Sequence, residues 1–167
     1  FEMKKIYFWA PFNSKIGTIN SVLNSIKSIQ KYSNGIYEPN LIDATFEWKE
    51  FQKNINVIFL RKNKSDFRLI KNKGFFWSRI FYLRIFFSCF LPLKKILKKN
   101  KPDYLIVHLV TSLPLMLFLL FKFETKLILR ISGEPKLNIF LRFFWKILSN
   151  KIFAITCPSK KTKEILV

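Results

Sequence analysis

The alternation of apolar and polar positions divides this chain into short extended runs separated by helical stretches. Lys4-Lys5-Ile6-Tyr7-Phe8-Trp9-Ala10 is rich in β-branched and aromatic side chains and is closed by Pro11, which predicts a buried first strand. Ile19, Val22, Leu23, Ile26 and Ile29 then recur at helical spacing. Residues 18–32 therefore read as an amphipathic helix with Thr18 as N-cap and Asn34-Gly35 as its stop. Asn40 to Ala44 predicts a second strand, Phe46 to Lys53 a short helix, and Ile55 to Leu60 a third strand. Strand, glycine-bearing loop, helix, strand is the opening of a parallel sheet with crossover helices.

The remainder continues that alternation. A basic loop, Arg61 to Lys73, leads into an apolar stretch from Gly74 to Leu93, which Pro92 is expected to kink or end. Lys101-Pro102-Asp103 breaks the chain before a fourth strand, Tyr104 to Leu109. Thr111 to Phe123 predicts an apolar helix with Pro114 near its start, where proline is tolerated. Lys126 to Ile131 predicts a fifth strand, Ser132-Gly133-Glu134-Pro135 a turn, and Leu137 to Leu148 a helix. Phe153 to Cys157 predicts a sixth strand, and Lys160 onward a further helix capped by Ser159. The expected fold class is α/β: a Rossmann-like parallel sheet of about six strands with helices on both faces.

A length of 167 residues suits one domain rather than two. Hydrophobic content of 50% and aromatic content of 17% exclude a disordered chain. The 30 lysines and arginines against 10 acids leave a formal charge of +20, which would suit nucleic acid or an anionic membrane. Joint overuse of Lys, Asn, Ile and Phe, as AT-rich coding produces, also accounts for part of it. The lysines are spread along the chain and no RNP-like aromatic motif accompanies them, which argues against nucleic acid. Attraction to anionic headgroups remains a physical consequence of the charge.

Two stretches invite comparison with membrane spans. Leu105 to Phe121 is interrupted by His108 and Pro114 and falls short of the usual span of about 20 residues. Phe75 to Leu93 carries Arg79 and Arg84, which a helix lying in the headgroup region tolerates better than a span does. A soluble-type fold with this second stretch as its membrane contact is expected over a multi-span protein. Ile6 to Ala10 is too short for a signal-peptide core, and Met3 is read as the natural start. Cys89 and Cys157 lie in apolar runs and read as buried free thiols; with a single histidine, no metal site is expected.

In an open parallel sheet, ligands bind beyond the carboxyl ends of the strands. After the first strand lie Gly17 and Thr18, which could bring backbone amides to a phosphate or simply form a βα turn. His108 follows the fourth strand and reads either as a structural residue or as a hydrogen-bonding or basic group toward a substrate hydroxyl. Arg130 in the fifth strand needs an acid or an anionic ligand as partner. Ser132, Gly133, Glu134 and Lys136 follow it. Gly133 allows close backbone approach or a tight turn, and Glu134 is a candidate base or a solvated acid. No nucleophile elbow, paired-carboxylate motif or P-loop is present.

At these strand ends the chain resembles a family 4 glycosyltransferase of the GT-B fold. Lys4 to Phe12 followed by Gly17-Thr18 is similar to that family's opening. Lys101-Pro102-Asp103 leading to His108 is similar to its fourth strand and substrate-side histidine. Arg130 to Asn138, with Arg142 and Trp145, resembles the link from fifth strand to helix, and Ile155-Thr156-Cys157-Pro158-Ser159 resembles a later strand. Asp43 and Glu47-Trp48 suit the family's second strand and loop. The resemblance implies that residues 3–167 are the acceptor-side Rossmann-like domain, truncated, of a two-domain enzyme. A missing C-terminal half would bind the nucleotide sugar. It further implies retaining transfer without a bound cofactor or metal, onto a saccharide or lipid-linked saccharide of the cell envelope. The enzyme would lie in the cytoplasm, peripheral to the inner face of the cytoplasmic membrane, and the fragment alone would be inactive. Gly17, His108 and the stretch from Arg130 to Lys136 are the site positions that carry over. Gly17 departs from the pattern, because Ile16 stands where many members have an adjacent glycine. A non-enzymatic basic module that binds nucleic acid or anionic membrane is the rival reading.

Overall fold

The computed structural model describes residues 3–12, 17–53, 55–61, 75–108, 111–131, 143, 146–157 and 159–166. Its strands are β1 (Lys4–Trp9), β2 (Tyr37–Asp43), β3 (Asn56–Phe59), β4 (Tyr104–Val107), β5 (Lys126–Arg130) and β6 (Ile152–Thr156). All neighbours pair in parallel, in the order β3-β2-β1-β4-β5-β6. This is the expected Rossmann-like α/β sheet. The chain reverses its direction of travel across the sheet between β1 and β4, the switch point where such sheets open a crevice. Among the described residues the helices include α1 (Gly17–Tyr32), α2 (Phe75–Asn100), α3 (Ser112–Leu120) and α4 (Lys160–Leu166); the helix expected from Leu137 to Leu148 lies largely outside them, with 146–149 helical.

The two-residue period of the strands divides the core. Ile6, Phe8 and Ala10 face Ile19, Val22 and Ile26 of α1. Tyr7 and Trp9 face the other way, onto the layer formed by α2 and α3. Helix α2 meets that layer with Phe81, Ile85, Cys89, Leu93 and Leu97, a strict i, i+4 stripe. Each such side chain contributes about 1.5–3 kcal/mol by leaving water. The helix layers thus lie on opposite faces, as right-handed crossovers running in opposite directions from a central strand require.

Several local expectations are corrected. Strand β2 begins at Tyr37 rather than Asn40 and contains Pro39. Pro39 pairs with Ile6 of β1, but β3 starts opposite Asn40, so the missing N–H falls where β2 is still an edge. The helix expected over Phe46 to Lys53 is only a 3-10 turn, Lys49–Phe51. Phe46 sits at φ 64°, a left-handed conformation no helix accepts. Helix α2 does not end at Pro92 but runs through it. Proline leaves the Ser88 carbonyl without its helical donor and costs about 3 kcal/mol, yet Cys89 and Leu93 on either side are fully buried, and their packing offsets the loss. Thr18 lies inside the first turn of α1 rather than capping it, because the helix already includes Gly17. Cys157 is only half-buried, while Cys89 is buried as expected. The helix stop at Asn34-Gly35 holds: both take left-handed backbone angles, φ 48° and 76°.

Candidate functional site

Two residues meet at the switch point for reasons visible in strand periodicity. In β4 and β5, Leu105, Val107, Leu127 and Leu129 point into the α2–α3 layer. Their alternates, including His108 just past β4 and Arg130 at the end of β5, therefore point to the face of α1. Val107 is paired with Leu129, so His108 and Arg130 are side by side one step further along. The His108 amide donates to the Trp9 carbonyl at 2.9 Å, which ties the ends of β1 and β4 together. Its ring lies against Phe8, with centroids 5.9 Å apart. Arg130 Nη1 donates to Ser25 Oγ of α1 at 3.2 Å.

His108 is only 6% exposed, and its Nε2 is buried without a hydrogen-bond partner among the described residues. Burial, aided by the positive charge of Arg130, pulls its pKa down to about 4. The imidazole is therefore neutral at physiological pH, with one nitrogen unclaimed among the described residues. Such a group can hydrogen-bond to a ligand hydroxyl, but it holds a proton poorly. Among the described residues Arg130 donates to a hydroxyl, that of Ser25. Ser25 was not singled out in the sequence, although its position between Val22 and Ile26 on the inner side of α1 is a signal for an inward-facing polar group. Phe8 was legible only as a core residue.

A second polar group closes the carboxyl end of β2. Asp43 Oδ1 accepts from the Thr45 amide at 3.0 Å and Oδ2 from the Trp48 amide at 3.1 Å. Glu47 Oε2 accepts from the amide of Thr45 at 2.6 Å and from its hydroxyl. Trp48 Nε1 donates to the Ala10 carbonyl at 3.2 Å, anchoring this knot to the end of β1. Burial, reinforced by the neighbouring Asp43 carboxylate, holds the Glu47 carboxyl well above the usual range. A raised carboxyl means that the folded state binds more protons than the unfolded one. Stability is then fullest below the ordinary glutamate pKa and falls as pH rises toward the raised value. Glu47→Gln, neutral at every pH, should lack this decline. Melting temperatures from pH 5 to 8 should fall less steeply for the variant than for the wild type; parallel curves would refute the assignment.

Gly17 opens α1, and a side chain there would meet no atom of the described residues within 4 Å, so none of them demands glycine at that position. Thr18 stands beside it, half-buried. Ser132, Gly133, Glu134 and Lys136 lie outside the described residues. Ser159 acts as the expected cap of α4, its hydroxyl accepting from the Thr162 amide at 3.2 Å. Burial pushes the Cys89 thiol up to about 11, which keeps it a packing group and not a nucleophile. Among the described residues no group of three or more His, Cys, Asp or Glu side chains could hold a metal ion.

Fold and edge residues together define a Rossmann-like α/β domain with a polar rim at its switch point. No family model matches the chain, and no curated protein does so either. Among solved structures, the fold is similar to that of CalG4, the calicheamicin glycosyltransferase, with a TM-score of 0.51 at 12% identity. The likeness covers 100% of this chain and 42% of that one, so the chain spans less than half the length of this neighbour.

Proposed function

We propose that this chain is the acceptor-binding half of a nucleotide-sugar-dependent glycosyltransferase. The observation that carries the reading is the buried His108 Nε2 at the switch point, without a hydrogen-bond partner among the described residues, beside the Arg130 guanidinium. A neutral imidazole nitrogen with no partner among the described residues suits one hydroxyl of a saccharide. Arg130, held by Ser25, suits an anionic group on the acceptor or the donor phosphate. Gly17 and Thr18 at the start of α1, with Ser132, Gly133, Glu134 and Lys136 after β5, complete the proposed rim. A second Rossmann-like half would hold the nucleotide sugar across the cleft. The finer reading is retaining, hexosyl-type transfer of family 4 character onto a lipid-linked or envelope saccharide at the inner face of the cytoplasmic membrane.

The test is a transfer assay on the product of the full reading frame, using radiolabelled UDP- and GDP-sugars and membrane-extracted acceptors. His108→Ala should lower transfer by about 100-fold, the scale of losing a positioned proton-exchanging or hydrogen-bonding group. His108→Gln should retain more activity, since it can still hydrogen-bond. Full activity of His108→Ala, transfer by residues 1–167 alone, or a reading frame with no second Rossmann-like half would each overturn the proposal. The rival reading, a non-enzymatic basic module, draws on the formal charge of +20. Tight RNA binding with a steep salt dependence would favour it.

A further inference from the structure

Helix α2 leaves an apolar ridge uncovered. Its inner stripe from Phe81 to Leu97 is buried, but Leu83, Phe87 and Leu91, again spaced i, i+4, are 57%, 75% and 68% exposed. Hydrophobic side chains in such a row on a single helix mark a contact surface. The chemistry flanking them selects the occupant. The 26 residues of α2 include no Asp or Glu, while Lys94, Lys95, Lys98 and Lys99 follow the ridge and Arg79 and Arg84 accompany it. Lys94 Nζ sits 3.6 Å from the centre of the Phe121 ring and Lys98 Nζ 5.8 Å from it, while Lys95, Lys98 and Lys99 are exposed. Leucine and phenylalanine on the crest, basic residues toward both ends and no acid between them is the pattern of a helix lying in the headgroup plane of an anionic bilayer.

Topology orients this surface. At about 1.5 Å per residue α2 is about 39 Å long, while a strand as short as β4 extends about 13 Å. The carboxyl end of α2 is tied to the amino-terminal edge of the sheet by the short link 101–103 into β4. The excess length therefore projects at the opposite edge, where β4 and β5 end in His108 and Arg130. Trp77, 47% exposed, lies on that projecting turn.

We propose that the outer face of α2 docks on an anionic lipid bilayer through Leu83, Phe87 and Leu91, with Lys95, Lys98 and Lys99 against the headgroups. The projecting end then holds the ligand edge of the sheet beside the membrane. This deepens the membrane-surface part of the proposed function, but docking requires no sugar transfer and is measured without it.

Co-sedimentation of the chain with vesicles tests it, comparing equimolar phosphatidylglycerol and phosphatidylcholine with phosphatidylcholine alone. The wild type should bind the anionic vesicles, and combined Leu83→Ser, Phe87→Ser and Leu91→Ser should weaken binding at least tenfold. Because these side chains are exposed, the variant should keep the wild-type circular dichroism spectrum and melting temperature. A variant that unfolds is replaced by Phe87→Ser alone, expected to lose at least threefold. Lys27→Gln with Lys31→Gln, on α1, removes two charges elsewhere and should change binding less than twofold. The proposal is overturned by equal binding of the wild type and the serine variant, by equal binding to neutral and anionic vesicles, or by RNA or polyglutamate binding without vesicle binding. Loss of docking would leave the acceptor role of His108 standing, and an inactive transferase that still sediments would leave docking standing.

Discussion

Replacing Trp48 by alanine is expected to destabilise the fold by about 3–5 kcal/mol, the range for truncating a large buried aromatic side chain. Trp48 is 0% exposed and makes an edge contact to Phe12, with centroids 4.9 Å apart, and a tilted contact to Phe51 at 5.6 Å. Its indole N–H also ties the turn after β2 to the Ala10 carbonyl at the end of β1. Alanine would leave a cavity beneath α1 and strip that carbonyl of its donor. Trp48→Phe keeps most of the packing and forfeits the hydrogen bond, a net loss of about 1 kcal/mol plus a smaller void. Urea unfolding of the three proteins should rank them wild type, Trp48→Phe, Trp48→Ala. An alanine variant within 1 kcal/mol of wild type would mean that the knot around Asp43 stands without its indole anchor.

The second large effect is a dependence on pH. With His108 pulled down to about 4 from an ordinary value near 6.5, the folded state binds fewer protons than the unfolded state between those values. Stability is therefore complete above pH 6.5 and is lost as the pH falls toward 4, with a limiting contribution of about 3 kcal/mol. Carboxylates contribute their own acid sensitivity, so the informative quantity is the difference from His108→Gln, which has no proton to gain. Unfolding free energies at pH 4, 5, 6 and 7 should converge toward the variant's, or drop below them, as acid is added. Identical slopes for the two proteins would show that His108 titrates freely and is not held in a desolvated site. The sign is opposite to that of Glu47: the fold prefers the neutral form of both groups, which for a carboxyl is the protonated form and for an imidazole the deprotonated one. The two substitutions thus separate the contributions of the two ends of the rim.

The strands and their order along the chain were legible because short β-branched and aromatic runs between turn residues leave few alternatives. The helical stripe of α1 was equally plain from Ile19, Val22 and Ile26. Three of the corrected readings failed for plainly tertiary reasons. Pro92 reads locally as a helix end, but the buried stripe on both sides of it carries α2 through. Phe46 to Lys53 has helical composition, yet Phe46 takes a left-handed backbone angle in the tight turn whose Thr45 and Trp48 amides the Asp43 carboxylate holds, so only a 3-10 turn follows. Pro39 hid the start of β2, because only the stagger of β3 reveals that its unpaired edge is free.

The candidate site divides in the same way. His108 and Arg130 could be picked out by their positions after strands in a sheet of this type. Their adjacency, the Ser25 hydroxyl that holds the guanidinium and the unclaimed Nε2 came from pairing β4 with β5 and seating α1 over both.

What the sequence by itself determined is the class of fold: an α/β chain whose strand and helix periods alternate and whose ligand edge follows from parallel connections. It also determined the basic, apolar character of α2, since an acid-free run of that composition is a local property. Tertiary structure alone decided which side of each strand met which helix layer, and with it which polar groups were desolvated. Burial is a property of neighbours brought together from distant parts of the chain. The lowered pKa of His108, the raised one of Glu47 and the outward face of Leu83, Phe87 and Leu91 exist only once the sheet has formed and its two sides have been covered.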